Sequence, residues 1–524
     1  MPTTPALRDL LAASAEARRY PYTERAAFWE ERLQMHFKDL SNLLEAPVDG
    51  DMLTLPPKSK LEVVPPAAPA EPDARSDDLC AAGVAEIAAR VRAGALSPVE
   101  VAKAVLARAE EHKQLNAFIT LRPEQVLREA QALEQRIAGG EDPGPLAGVP
   151  VGIKDLMHVQ GYPFTCGTKA MDGKPAVRDA DVVAKLRGAG ALIVGTLNLH
   201  ELAYGVTSAN MHFGHVVNPA APGHIPGGSS GGSGAAVASG IAAIAVGTDT
   251  GGSIRIPAAC CGVVGFKPSH DAVSREGVWP LAWTLDHIGP LAREVDDAAI
   301  AFEVMAGLPA GCISGKRIDK PRLVRPTPFF YEHLDGAIAR HIEAVLARLT
   351  GAGAKLATRK VERADEAPTA QFITLATEGC QANWELLAKR PEGISPDVRL
   401  RLEIGQFIGG VDYVKAQRLR RILRDNMIGA LKDADAFVLP SIPISLPKAG
   451  TTMVEIAGRV LPVPAAVTRL TSPFNFSGLP AISLPCGTDR NGLPVGLQLV
   501  GRPGADATVL AAARWCEQVL GSET

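Results

Sequence analysis

Pro226-Gly227-Gly228-Ser229-Ser230-Gly231-Gly232-Ser233-Gly234-Ala235-Ala236 is followed, after a short apolar run, by Gly247-Thr248-Asp249-Thr250-Gly251-Gly252-Ser253-Ile254-Arg255-Ile256-Pro257. In the first stretch glycines flank two serines, so the backbone can approach a ligand closely and adopt positive φ. Small apolar residues follow at once, where a flexible Gly/Ser linker would stay polar. The stretch reads as a loop running into a helix whose first N–H groups face the loop. The second stretch follows a strand over Ala242–Val246. Two glycines before Ser253 suit backbone N–H donors gathering around a developing oxyanion.

Upstream, Val149-Pro150-Val151-Gly152-Ile153-Lys154-Asp155 places a lysine at the end of an apolar strand. Apolar flanks that bury its tip disfavour the ammonium form and lower its pKa, which makes a lysine a general base near neutral pH. Taken alone, a lysine here would be a solvated surface charge. The pattern continues outward in both directions. Helices are predicted over 83–94, 98–112 (Ser97 capping, Pro98 in the first turn), 123–138, 335–350, 365–390, 412–432 and 505–520. Strands or β-like runs are predicted over 117–121, 149–153, 182–188, 192–195, 242–247, 436–440, 481–485 and 495–500. This alternation predicts an α/β fold: one large α/β/α domain over 76–524, with a central mixed β-sheet flanked by helices. Residues 1–55 read as a helical N-terminal appendage, with Leu7, Leu10, Leu11 and Ala15 on one face. Residues 56–75 read as a Pro-rich extended linker.

The 524 residues carry a net charge of −3, with 46% hydrophobic and 21% charged residues. That excludes a wholly disordered chain, and without a basic excess no direct nucleic-acid partner is expected. The eight cysteines are scattered, with no C-x-x-C pair, which fits buried thiols in a reduced cytoplasmic protein. The most apolar stretch, Gly234 to Gly247, is shorter than the ~20 residues that cross a bilayer, so no membrane partner is expected.

Other motif readings compete. Gly227-Gly228-Ser229-Ser230-Gly231 satisfies G-x-S-x-G, the nucleophile elbow of α/β-hydrolases, with His270, His287, His333 and His341 available as bases. No lysine completes a phosphate loop, and no dinucleotide spacing is present. His212 and His215 lack a third ligand, and His200-Glu201 lacks the second histidine of H-E-x-x-H, so neither a metal nor a cofactor is expected.

Together the three segments resemble the amidase signature family. The resemblance runs from about residue 80 to 519 and continues through Cys261-Gly262-Val263-Val264-Gly265-Phe266-Lys267-Pro268, Leu285-Asp286-His287-Ile288-Gly289-Pro290, Phe474-Asn475 and Gly492-Leu493-Pro494-Val495-Gly496-Leu497-Gln498. It implies a Ser–cis-Ser–Lys triad: Ser253 as nucleophile, Ser229 as the bridging serine after a cis peptide, and Lys154 as base. Backbone N–H groups around Thr250, Gly251, Gly252 and Ser253 would form the oxyanion hole. Ser230, Asp249 and Arg255 would support the loops. The implied activity is hydrolysis of a small carboxamide, aryl amide or urea-like C–N bond through an acyl-enzyme. The alternatives are the glutaminase subunit of a tRNA-dependent amidotransferase and a carboxybiuret- or allophanate-type hydrolase.

The sequence departs from the family's pattern at His224, Ala209 and His270-Asp271, positions that bear on substrate more than on reaction. Tyr204, Phe213, Trp279, Trp283 and Phe372 are candidates to line an apolar pocket. The appendage resembles the small helical subunit that wraps some family members. Its other reading is an arm that joins two copies in a homodimer.

Overall fold

The computed structural model describes residues 59–66 and 78–521. Its strands are β1 (Phe118–Leu121), β2 (Pro150–Lys154), β3 (Leu192–Leu197), β4 (Ile244–Asp249), β5 (Val264–Lys267), β6 (His287–Ala292), β7 (Arg322–Thr327), β8 (Lys355–Lys360), β9 (Ala436–Pro440), β10 (Met453–Ile456), β11 (Arg459–Pro462), β12 (Ala481–Thr488) and β13 (Pro494–Val500). Eleven of them form one sheet in the order β1-β3-β2-β4-β6-β5-β12-β13-β9-β7-β8, and β10 and β11 make a separate hairpin. The sheet is mixed. β2 runs parallel to β3 and β4, and β7 runs parallel to β8 and β9. The remaining pairs are antiparallel. The central strands β2, β3, β4, β5 and β6 are buried along their whole length, as expected of a sheet covered on both faces.

Helices pack around this sheet. The largest apolar cluster joins β2, β4 and β6 to helices Asp181–Gly188, Val295–Ala306, Gly336–Gly351 and Asp506–Gly521. A separate cluster joins helices Gly231–Ala238 and Arg255–Cys261 to Leu197, Ala245 and Leu291. Local signals account for several boundaries. Pro98–Glu111 begins with a capping box in which the Ser97 hydroxyl accepts from Val99 N–H and Glu100 accepts from Ser97 N–H.

Two elements differ from the sequence reading. Residues 182–188, read as β-like, form helix Asp181–Gly188. Val182, Val183 and Leu186 are buried at helical spacing, while Asp181 and Lys185 form an ion pair one turn apart. The helix predicted over 365–390 is two helices, Ala367–Ala382 and Trp384–Lys389. They divide at Asn383, whose amide donates to Gly379 O at 3.0 Å and whose carbonyl accepts from Trp279 Nε1 at 3.0 Å.

The helices predicted within residues 1–55 lie outside the described residues. The described part of the linker, 59–66, carries no helix or strand and is fastened to the domain. Glu62 N–H donates to Gly504 O at 2.8 Å, and Val64 N–H donates to Cys312 O at 2.9 Å. The Glu62 carboxylate accepts from Thr508 at 3.0 Å and faces Lys316 at 3.4 Å. Among the described residues no helix is long and apolar enough to cross a membrane.

Candidate active site

The parallel pairing of β2 with β4 brings two chain ends together. Ile153 lies opposite Val246, so Lys154 leaves β2 where Thr248 and Asp249 leave β4. The carboxyl ends of parallel strands are the usual place for a site in such sheets. The Gly-rich loop enters the same space from the N-terminus of helix Gly231–Ala238. It is pinned there by His200 N–H to Ser229 O at 3.0 Å, Gly231 N–H to Ser208 Oγ at 3.0 Å, and Ser230 N–H to Ser253 O at 3.2 Å. The Gly228–Ser229 peptide bond is cis.

Lys154 is fully buried. Its Nζ lies 2.7 Å from Ser229 Oγ, 3.0 Å from Ser230 Oγ and 2.8 Å from Thr248 Oγ1. Burial outweighs the attraction of Asp249 and Asp286 and brings its pKa down to about 7. An ammonium would fill all three hydroxyl contacts with its three protons. A neutral amine has two protons and a lone pair, so one hydroxyl must then donate to it. Ser230 Oγ lies 3.2 Å from Thr248 O, which gives its own proton another acceptor. Ser229 and Thr248 are left as the natural donors to the amine.

The loop after β4 is organised by one buried ion pair. Asp249 and Arg255 meet at 2.9 Å with both side chains inaccessible to solvent. Asp249 also accepts from the N–H groups of Gly252 at 2.8 Å and Ile254 at 3.1 Å, and from Asn475 Nδ2 at 2.8 Å. Burial works against its charge, but Arg255 overcomes this and holds the carboxyl down at about 2. Arg255 donates in turn to Thr471 O at 3.0 Å, Gln498 Oε1 at 2.6 Å and Asn475 Oδ1 at 2.7 Å. Gly252 turns the loop with φ at +132°, and a Cβ there would lie 2.3 Å from Thr471 Oγ1. A second carboxylate, Asp286, accepts the Thr250 hydroxyl at 2.6 Å and the N–H groups of Leu281 and Ala282 at 2.9 and 3.0 Å. Burial pushes Asp286 up to about 6.

Ser253, Thr250 and Gly251 border a cavity of about 280 Å³. Its other walls are mainly apolar and include Val206, Leu281, Phe372, Leu375, Pro462 and Pro464. Gln371 donates to Thr250 O at 3.3 Å. Arg401, on the same wall, donates to Tyr204 O and pairs with Asp397 at 3.4 Å.

Lys154, Ser229, Thr250, Gly251 and Ser253 therefore gather at one place. Gly252 does not offer its N–H to the cavity, because Asp249 already accepts it. Of the aromatic candidates, Tyr204 and Phe372 line this cavity, whereas Trp279 and Trp283 line another. The nucleophile-elbow reading finds no support: among the described residues no histidine hydrogen-bonds to Ser229 or Ser253, and His287 donates through Nδ1 to Leu285 O at 2.7 Å. His212 lies 3.1 Å from Glu201. Thr248, Asp286 and Gln371 carry no role in the sequence reading. The first two lie inside motifs already quoted, but Gln371 has no local signal.

A family model described as Amidase matches residues 100–510. The chain belongs to the amidase signature family. It is accordingly a hydrolase of amide C–N bonds. This amidase is 36% identical over 469 residues to a glutamyl-tRNA(Gln) amidotransferase subunit of Geobacter sp. strain M21, an alignment covering 82% of this chain and 95% of that protein. It is 36% identical over 420 residues to a 1-carboxybiuret hydrolase subunit of Pseudomonas sp. strain ADP, covering 76% and 90% respectively. Its fold superposes on a crystallised amidase with a TM-score of 0.80 at 37% identity, covering 84% of this chain and 100% of the other. A bacterial aryl acylamidase superposes at 0.75 with 29% identity, covering 84% and 96%.

Replacing Asp249 by Asn leaves the Arg255 guanidinium buried without its counter-charge. Such a loss costs about 3–5 kcal/mol. Asp249→Asn is expected to unfold at markedly lower urea concentration than wild type, and an unchanged midpoint would contradict the role given to this pair.

Proposed function

We propose that Ser253 is the nucleophile of this amidase, Ser229 the proton relay and Lys154 the base. The observation that carries the reading is Lys154 itself, fully buried and 2.7 Å from Ser229 Oγ, in a loop whose Ser230 N–H reaches Ser253 O at 3.2 Å. In the neutral form Lys154 takes a proton from Ser229 while Ser229 takes one from Ser253. Ser253 Oγ attacks the amide carbonyl carbon. Backbone N–H groups of Thr250, Gly251 and Ser253, which border this cavity, stabilise the oxyanion, and one such donor is typically worth ~3 kcal/mol. The proton returns through Ser229 to the departing amine. Water then cleaves the acyl-enzyme by the same relay.

The substrate is a small carboxamide, aryl amide or urea-like compound with an apolar acyl group. Leu281, Phe372, Leu375 and the two prolines of the cavity wall support this, because they offer contact area and few polar partners. The similarity to the amidotransferase protein of Geobacter supports a second reading, a glutaminase working with partner subunits. A stable complex recovered with a second, kinase-like subunit would favour it. The carboxybiuret-type reading is decided by including carboxybiuret in the substrate panel. For the appendage we retain the dimer arm. Removing residues 1–58 is expected to halve the mass measured by light scattering, and an unchanged mass would end that reading.

Two measurements test the triad. A lysine with its pKa near 7 is protonated and inactive below that value and neutral above it. With a chromogenic anilide, kcat/KM is expected to rise about tenfold per pH unit up to roughly neutral pH and then level off. Lys154→Ala should lower kcat by ~10²–10⁴, and Lys154→Arg should not restore it, because a guanidinium stays protonated. A rate independent of pH between 5 and 8, as an approximate window, would remove Lys154 as base. A fluorophosphonate should label Ser253 and be slowed by Ser229→Ala. Label on Ser229 or Ser230 would overturn the assignment.

A further inference from the structure

A second cavity, of about 550 Å³, reaches the triad region from another direction. Thr248, whose hydroxyl bonds Lys154, forms part of its wall together with Asp286, His287, Arg275, Trp279 and Trp283. Its chemistry differs from that of the cavity bordered by Ser253. The two wall cations are already neutralised: Arg275 pairs with Asp271 at 2.6 Å, and Lys185 pairs with Asp181 at 2.9 Å. Asp286 is not. Among the described residues no cation lies within ion-pair distance of it, and its oxygens accept only from a hydroxyl and two backbone N–H groups. His287 commits its Nδ1 proton to Leu285 O, which leaves Nε2 as a buried lone pair with no donor. Two indole side chains complete the wall. Trp279 is held by its Nε1–H to Asn383, and Trp283 is 39% exposed at the solvent side.

A carboxylate with no cation at ion-pair distance and two indole side chains in the same wall together favour a positive charge that carries N–H donors. The aromatic rings attract such a cation electrostatically and also cover a short alkyl tail. An anion would meet Asp286, while the two cations of the wall are already paired with Asp271 and Asp181. We propose that this second cavity is a binding site for a small organic ammonium ion of the primary alkylammonium type. Its occupant would sit within reach of both Thr248, which holds Lys154, and Asp286, which holds the Thr250 hydroxyl.

The test is calorimetric titration of the full chain with butylammonium chloride, with sodium chloride and sodium butanoate as controls at matched ionic strength. Saturable butylammonium binding is expected, with no binding of butanoate. Trp283→Leu keeps apolar bulk but removes the ring and should weaken binding about fivefold, whereas Trp283→Phe should stay within about twofold of wild type. Phe372→Ala, in the cavity bordered by Ser253, should leave the affinity unchanged. The proposal is overturned if butylammonium does not saturate, if butanoate binds as well, or if Trp283→Leu binds like wild type. It is equally overturned if Phe372→Ala is the change that weakens binding, since the cation would then occupy the other cavity. None of these readouts depends on which serine is the nucleophile.

Discussion

The buried pair of Asp249 and Arg255 is the constraint on which the site depends. Two charges withdrawn from water are tolerable only when each is hydrogen-bonded to completion. Here the completing groups come from far along the chain: Thr471, Asn475 and Gln498 satisfy Arg255, and Asn475 also reaches Asp249. The loop that carries Ser253 is therefore positioned by β13 and helix Ser472–Ser477 as much as by its own sequence. Planar, forked donors make the guanidinium suited to this task where a lysine ammonium would not be.

Lys154 is the other half of the design. Its strand is buried on both faces, so its tip cannot escape to solvent, and three hydroxyls take the place of water around it. The same burial that makes the charged form costly makes the neutral amine available. Two cavities of unlike character flank the cluster, one mostly apolar beside Ser253 and one with a buried acid, Asp286, in the wall that Thr248 shares.

Much of this is legible in the sequence because it is local. Lys154 ends an apolar strand, and Ser229 and Ser253 each lie in a glycine-rich segment between a regular element and a helix. The Ser97 cap and Pro98 predict a helix start that the structure shows. Val182 and Val183 mislead because β-branched residues suggest a strand, yet Leu186 one turn later shares their buried face. Gly252 reads as a free donor although the contrary signal is present: an aspartate three residues earlier readily takes a loop N–H. Gln371 and Thr471 cannot be read in advance, since their partners lie more than a hundred residues away and only the folded topology brings them in.

The fastening of residues 59–66 to the domain has a consequence for everything that precedes it. A tethered segment meets its own domain at an effective concentration set by the tether, about millimolar for a short connection. Because Glu62 and Val64 are fixed to Gly504 and Cys312, the tether for residues 1–58 begins at the domain surface itself. Any weak contact between that segment and this domain is thereby intramolecular, and it outcompetes the same segment supplied by a free chain at micromolar abundance.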